Sequence, residues 1–257
     1  MNHSKLHGLL QELKFKGMEQ ILDEVMKQAE KKATSTRQTL ITLLEEELRY
    51  RKERSLINRI KNARIPWDWT LSSFPFAEQP SVNKQQIMDL SAGEFVEQGE
   101  NIVFIGEPGV GKSGLAAGLL RETLLAGYRG LYYNVQDLVN DLYSSLADRT
   151  TTSLLHRLCR FDVLMLDEMG YLTMNTEQMN CFFKLMAERY LAGKATLITT
   201  NLQYDQWYDL FKPKDMVDAM LDRLQHRCIT VQIKGPSLRQ NISRNRSSSG
   251  ITSQQKK

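Results

Sequence analysis

Between residues 4 and 32 the apolar positions Leu6, Leu9, Leu10 and Leu13, then Ile21, Leu22, Val25, Met26 and Ala29, recur at three- and four-residue steps. That spacing predicts two short amphipathic helices, with Gly17 as the interruption between them. The polar break TSTRQ offers Thr34, Ser35 or Thr36 as an N-cap, after which LITLLEEELRYRKERSLINRIKNA reads as a longer helix that stops before Pro66. Residues 1–65 are therefore expected to form a small all-helical domain.

Residues 66–100 read differently. PWDWTLSSFPF is an aromatic, proline-punctuated connector at 66–80, and KQQIMDLSAGEFV behind it has the spacing of a further amphipathic helix. Trp67, Trp69, Phe74 and Phe76 either line a pocket for a nucleotide base or clamp the connector onto the domain that follows. From residue 100 the period switches to apolar, partly β-branched runs separated by helical stretches: NIVFIG, GLYYNV, DVLMLD, ATLITTN and ITVQIKG. This alternation predicts an α/β domain over 66–240 with a mostly parallel five-stranded sheet covered on both faces. The segment 241–257, Ser-rich and basic with few large apolar residues, has the composition of a disordered tail.

Charge sharpens the division. The chain of 257 residues carries a net +4, but residues 1–65 hold 14 Lys and Arg against 9 Asp and Glu, residues 66–233 hold 14 against 21, and residues 234–257 hold 6 against none. Basic ends around an acidic middle suit a polyanion met by the ends. Within the long helix Arg49, Arg51, Lys52, Arg54, Arg59, Lys61 and Arg64 face a single acid, Glu53, enough for sequence-independent contacts to DNA phosphates although they spread around the helix. No apolar run is long enough to span a bilayer, and the start MNHSKLHGLL lacks a signal-peptide core, so a cytoplasmic protein is expected. Cys159, Cys181 and Cys228 are expected as reduced packing thiols. His3 and His7, one turn apart with no third ligand nearby, read as packing or solvent-facing residues rather than a metal site.

The chemistry lies in the α/β part. Gly106, Glu107, Pro108, Gly109, Val110, Gly111, Lys112 and Ser113 spell G-x-x-x-x-G-K-S between a strand and a helix that opens through Gly114. The glycines let successive N–H groups face a phosphate, the helix start adds its positive end, Lys112 would bridge the β- and γ-phosphates, and Ser113 would ligate Mg²⁺. FDVLMLDEMG ends its strand in Asp167, expected in the Mg²⁺ shell, and Glu168, expected to orient and deprotonate a water. Asn201 at the end of ATLITTN could hydrogen-bond the γ-phosphate and that water. DAMLDRLQHR offers Arg223 and Arg227 for the developing γ-phosphate charge, with local pairing to Asp218 or Asp222 as the alternative, and Arg239 follows in GPSLRQ.

With GEPGVGKS, LMLDEMGYL, LITTNL, AMLDRLQHR and GPSLR in that order, the chain resembles the IstB-type transposition helper ATPases and, more distantly, the DnaC helicase loaders, both AAA+ P-loop NTPases. The ending RKERSLINRIKNARIPW of the helical segment looks IstB-like too. The resemblance implies that Lys112 and Ser113 are the Walker A pair, Asp167 and Glu168 the Walker B pair, and Asn201 the first sensor. It also implies that Arg223, at the DRL position, is an arginine finger supplied to a neighbouring subunit, and Arg239 the second sensor. It further implies an ATP- and Mg²⁺-dependent homo-oligomer with nucleotide at its subunit interfaces, which assembles on double-stranded DNA with little sequence preference and recruits or stimulates a transposase. A replicative helicase as partner is the alternative within the same family. A small-molecule kinase and a non-hydrolysing DNA scaffold are the alternatives outside it.

Overall fold

The computed structural model describes residues 2–170 and 174–239. The chain divides into two compact units, Met1–Arg59 and Ile60–Lys257. The expected tail at 241–257, and the residues Tyr171–Thr173 of the turn after Glu168, lie outside the described residues.

The first unit is built from α1 (Asn2–Glu12), α2 (Lys16–Lys32) and the part up to Arg59 of α3 (Thr36–Asn62). Leu10, Met18, Leu22 and Leu43 form its core, with Phe15, Ile21 and Val25 packed against it. Ser35 supplies the cap of α3, its Oγ accepting the Gln38 N–H at 3.3 Å. Gly17 does not interrupt the helical run: the break falls at Leu13–Phe15, where Lys14 has φ 58°, and Gly17 sits inside α2. Its role is close approach. A Cβ on Gly17 would stand 2.7 Å from Tyr50 Cβ and 2.9 Å from both Glu46 O and Glu47 Cα, so α2 can lie this near α3 only without a side chain there. The buried Glu47 carboxylate completes the contact by accepting the N–H groups of Gly17 at 2.7 Å and Met18 at 3.2 Å, which satisfies donors at the start of α2. Elsewhere in the unit, His7 Nε2 lies 3.1 Å from Asp23 Oδ1.

The second unit opens with two 3₁₀ turns, Leu71–Ser73 and Phe76–Glu78, then α4 (Lys84–Ser91) and α5 (Glu94–Glu97). The single helix expected from KQQIMDLSAGEFV is broken at Gly93, whose φ of 91° ends one helix and starts the next. The rest alternates: β1 (Asn101–Gly106), α6 (Lys112–Leu125), β2 (Gly130–Asn134), α7 (Val135–Ala147), α8 (Thr151–Cys159), β3 (Val163–Met169), α9 (Thr176–Leu191), β4 (Ala195–Thr200), α10 (Trp207–Leu210), α11 (Lys214–His226) and β5 (Cys228–Ile233). All five predicted strands are present, and every pairing in the order β2-β3-β4-β1-β5 is parallel.

Both faces of the sheet are covered, as its unbroken apolar strands require. Side chains alternate across it, so Ile102 and Phe104 join a core with α6, α4 and the connector, while Val103 and Ile105 join one with α7, α8, α9 and α11. The carboxyl ends of β3, β4 and β1, the three central strands, are neighbours, the usual crevice for a ligand in such folds. None of Cys159, Cys181 and Cys228 is in a disulfide, and among the described residues no helix is long and apolar enough to cross a membrane.

Candidate functional site

A cavity of about 800 Å³ opens at those carboxyl ends. Pro108, Gly109, Gly111, Lys112, Ser113 and Gly114 form its floor, Glu168, Thr199, Thr200 and Asn201 one wall, and Trp67, Trp69, Thr70, Ser73, Phe74, Leu238 and Arg239 the other. The loop from Gly106 to Gly111 leaves the centre of the sheet and passes directly into α6, whose first N–H groups have no helical partner. Gly109 and Gly111 have φ of 87° and 97°, the left-handed region that suits glycine. Gly109 also has no room: a Cβ would meet Ser237 Oγ at 2.2 Å. On Gly106 it would meet Ile233 O at 2.4 Å.

Close above the loop lie two segments remote in sequence. The stretch after β5 is tied down by Leu238 N–H to Gly109 O at 2.9 Å, by Lys234 N–H to Ser81 Oγ at 2.8 Å, and by Gln79 Nε2 to Pro236 O at 2.7 Å. Arg239 thereby reaches the cavity. The connector packs on α6, since a Cβ on Gly114 would come within 2.8 Å of the Trp69 ring and one on Gly111 within 2.7 Å of the Phe74 ring. Arg121 of α6 fixes it further by donating to Trp67 O and, at 3.1 Å, to Asp68. Trp67, Trp69 and Phe74 clamp the connector onto α6, and they also line the cavity beside the loop from Gly106 to Gly111. Phe76 meets Phe74 edge-on at 4.9 Å and is not among the lining residues.

Lys112 is folded back on its own loop, Nζ donating to Gly106 O at 2.7 Å and Glu107 O at 2.9 Å. Burial pushes its ammonium below the ordinary lysine range, with Asp167 opposing. Asp167 is almost fully buried at 1% exposure, and Thr199 Oγ1 donates to its Oδ1 at 2.5 Å while Tyr132 OH donates to its Oδ2 at 3.3 Å. Burial raises its carboxyl above the usual range, against the hydrogen bonds from Thr199 and Ser113.

Glu168 points the other way because β3 bulges between them. Leu166 pairs with Ile198 and Met169 with Thr200, which leaves an extra residue on β3, and Glu168 takes φ 64°. Asp167 is thereby turned into the sheet and Glu168 out to the cavity. The Glu168 N–H donates to Thr199 Oγ1 at 3.0 Å, and its Oε2 accepts Asn134 Nδ2 at 2.8 Å. Asn201 Oδ1 is buried without a partner among the described residues, and Gly170 beside it has no space for a Cβ, which would lie 2.3 Å away.

These donors fit a triphosphate and a hard divalent cation. Ser113 and Asp167, whose carboxyl the Ser113 hydroxyl lowers, offer an all-oxygen pair. Among the described residues no group of three or more His, Cys, Asp or Glu could hold a metal ion. Arg223 stands elsewhere. It is exposed on α11, donates to Ala219 O at 3.3 Å, and lines a separate cavity of about 360 Å³ with residues of α9. Asp218, a local partner considered for it, instead accepts Tyr208 OH at 2.5 Å, and Arg227 donates to Gln98 O at 3.3 Å.

Of the basic residues expected at DNA, Arg49 pairs with Glu46 and, at 2.9 Å, with Glu53, and Arg51 pairs with Glu47 at 2.7 Å. Arg54 donates to Tyr50 OH at 3.1 Å and Arg59 to Ser55 Oγ at 2.8 Å. Lys52 is exposed on α3, while Lys61 and Arg64 belong to the second unit. Sequence reasoning missed Thr199, Tyr132 and Asn134. Thr199 lay within the quoted strand and Asn134 at the end of another, but only the strand order brings them to the two carboxylates.

The sequence matches the family model of the IstB-like ATP binding protein over residues 8–247. It is 36% identical over 236 residues to an ATP-binding protein of insertion sequence IS21 from Pseudomonas aeruginosa, covering 91% of this chain and 88% of that one. It is 34% identical over 200 residues to an ATP-binding protein of insertion sequence IS5376 from Geobacillus stearothermophilus, 78% and 79% of the two chains. Among solved structures, the DnaC helicase loader superposes with a TM-score of 0.56 at 23% identity over 67% of this chain and 100% of that chain. The AMPPCP-bound DnaA of Aquifex aeolicus superposes with a TM-score of 0.56 at 20% identity, over 72% and 56%. The fold is thus the AAA+ form of the P-loop fold.

Proposed function

The chain belongs to the IstB-like ATP-binding proteins, and from that membership and the site we propose that it is an Mg²⁺-dependent ATPase that assembles on double-stranded DNA and recruits or stimulates a transposase. The observation that carries this reading is the meeting of Lys112, Ser113, Glu168, Asn201 and Arg239 at one cavity, with Asp167 buried beside it and held by Thr199 and Tyr132. The backbone from Gly106 to Gly114 would hold the phosphates, and Lys112 would leave its two loop carbonyls for the β- and γ-phosphates. Ser113 and Asp167 would hold Mg²⁺, which when bound neutralises phosphate charge. Glu168 orients and deprotonates the water, and Asn201, whose buried oxygen lacks a partner among the described residues, positions it. Arg239 reaches the phosphates from the segment after β5.

Arg223 lies outside this cavity, which supports a site completed by a neighbouring subunit: the guanidinium of one copy would meet the γ-phosphate held by the next. ATP would then favour the assembled state, and hydrolysis would end it. Arg54, Lys52, Lys61 and Arg64 are the stronger candidates for DNA phosphate contact, because Arg49 and Arg51 already face carboxylates. The relatives' place in insertion sequences supports a transposase rather than a replicative helicase as partner. Imaging the protein with duplex DNA in ATP, ADP or no nucleotide tests the reading. Assemblies formed only with ATP, together with DNA-stimulated phosphate release, support it, and a monodisperse protein under all three conditions overturns it.

A further inference from the structure

Asp167 is held from two sides, by Thr199 of β4 and by Tyr132 of β2. Tyr132 and Asn134 lie two residues apart on β2, hence on one face, and each reaches one carboxylate: Tyr132 reaches Asp167 and Asn134 reaches Glu168. The Tyr132 bond, at 3.3 Å, is longer than the usual ~2.7–2.8 Å between hydroxyl and oxygen, so a small movement of the ring changes it more than it changes the short bond from Thr199. What places that ring is the connector. Trp67 meets Tyr132 edge-on with centroids 5.5 Å apart, and Trp67 stacks on Trp69 at 5.1 Å and 18°. Trp69 in turn lies against Gly114 in the cavity wall.

We propose that Tyr132 is a positioning residue for Asp167, and that the Trp67–Trp69 pair sets the Tyr132 ring, so that the affinity of the Ser113–Asp167 pair for a divalent cation depends on how the aromatic wall of the nucleotide cavity is packed. The proposal rests on the reading of Ser113 and Asp167 as the Mg²⁺ ligands. It differs from a packing role for Tyr132 in one respect: the hydroxyl alone matters for the cation, while the ring alone matters for the fold.

The test is the Mg²⁺ dependence of binding of a fluorescent N-methylanthraniloyl ATP to the full chain, with steady-state hydrolysis measured alongside. Tyr132→Phe keeps the ring against Trp67 and removes the donor. It is expected to raise the Mg²⁺ concentration for half-saturation about tenfold, with nucleotide binding in EDTA and kcat at saturating Mg²⁺ near wild type. Trp67→Leu is expected to shift the Mg²⁺ requirement in the same direction, and the double variant to go no further than Tyr132→Phe alone, because both act through one hydroxyl. A Tyr132→Phe variant with the wild-type Mg²⁺ requirement overturns the proposal, and fully additive shifts overturn the part given to Trp67. Wild-type nucleotide binding that is indifferent to Mg²⁺ overturns the cation reading itself, and the proposal with it.

Discussion

Asn134 Nδ2 donates to Glu168 Oε2 at 2.8 Å, so the carboxylate assigned to water activation is held by the strand at the edge of the sheet. The same Asn134 caps α7, its Oδ1 accepting the Gln136 N–H at 2.9 Å, and is therefore fixed in place. A carboxylate held sideways must be released before it can orient a water. Asn134→Ser, which keeps a cap but shortens the reach, is expected to raise ATP hydrolysis without DNA by roughly threefold to tenfold, the scale of one hydrogen bond. The ratio of DNA-stimulated to basal phosphate release should fall correspondingly.

Thr199 holds two adjacent residues at once, donating to the Asp167 carboxylate and accepting the backbone N–H of Glu168. Thr199→Val, similar in shape without the hydroxyl, leaves a buried carboxylate oxygen and a backbone donor short of partners. Global stability is expected to drop by about 1–3 kcal/mol in urea unfolding, with a higher Mg²⁺ requirement for nucleotide binding.

Glu168 holds φ 64°, a region that costs a side-chain-bearing residue roughly 1 kcal/mol. Replacing it by glycine should stabilise the chain by several tenths of a kcal/mol to about 1 while reducing hydrolysis by on the order of 10²–10⁴. Thermal denaturation and single-turnover hydrolysis, read together, test whether the bulge stores strain at the chemistry.

In the first unit, Glu47 ties α3 to the start of α2. Burial pushes its carboxyl up, but Arg51 and the N–H groups of Met18 and Gly17 outweigh this and hold it below the ordinary value. A carboxyl lowered by folding contributes stability above the ordinary value of about 4.3, and loses that contribution as pH falls through its folded value. Amide exchange of α1 and α2 should therefore accelerate below about pH 4, and Glu47→Gln should remove this pH dependence. Gly17→Ala should destabilise the same unit by about 1–3 kcal/mol through the clash with α3.

The strands and the phosphate loop were legible because their information is local: a period, a run of β-branched residues, a fixed spacing from Gly106 to Ser113. The five-stranded parallel sheet follows from that alone. What was not legible depends on pairings across the fold. Asn134 and Glu168 are 34 residues apart, and nothing in either segment says that β2 lies beside β3. Gly17 was misread for the same reason, since a glycine that breaks a helix and one that admits a neighbouring helix look alike until the neighbour is placed. Gln79 and the segment after β5 meet across 157 positions.

The central claim is that the nucleotide cavity is half of a site and that Arg223 belongs to the other half. Mixing two inactive variants tests it most directly. Glu168→Gln keeps its arginine and lacks the base, and Arg223→Ala keeps the base and lacks the arginine. If subunits complete one another, equal mixing on duplex DNA should restore about a quarter of the wild-type phosphate release, since roughly one interface in four pairs an intact Glu168 with an intact Arg223. A mixture no more active than the separate variants, under conditions where both assemble on DNA, would contradict the account.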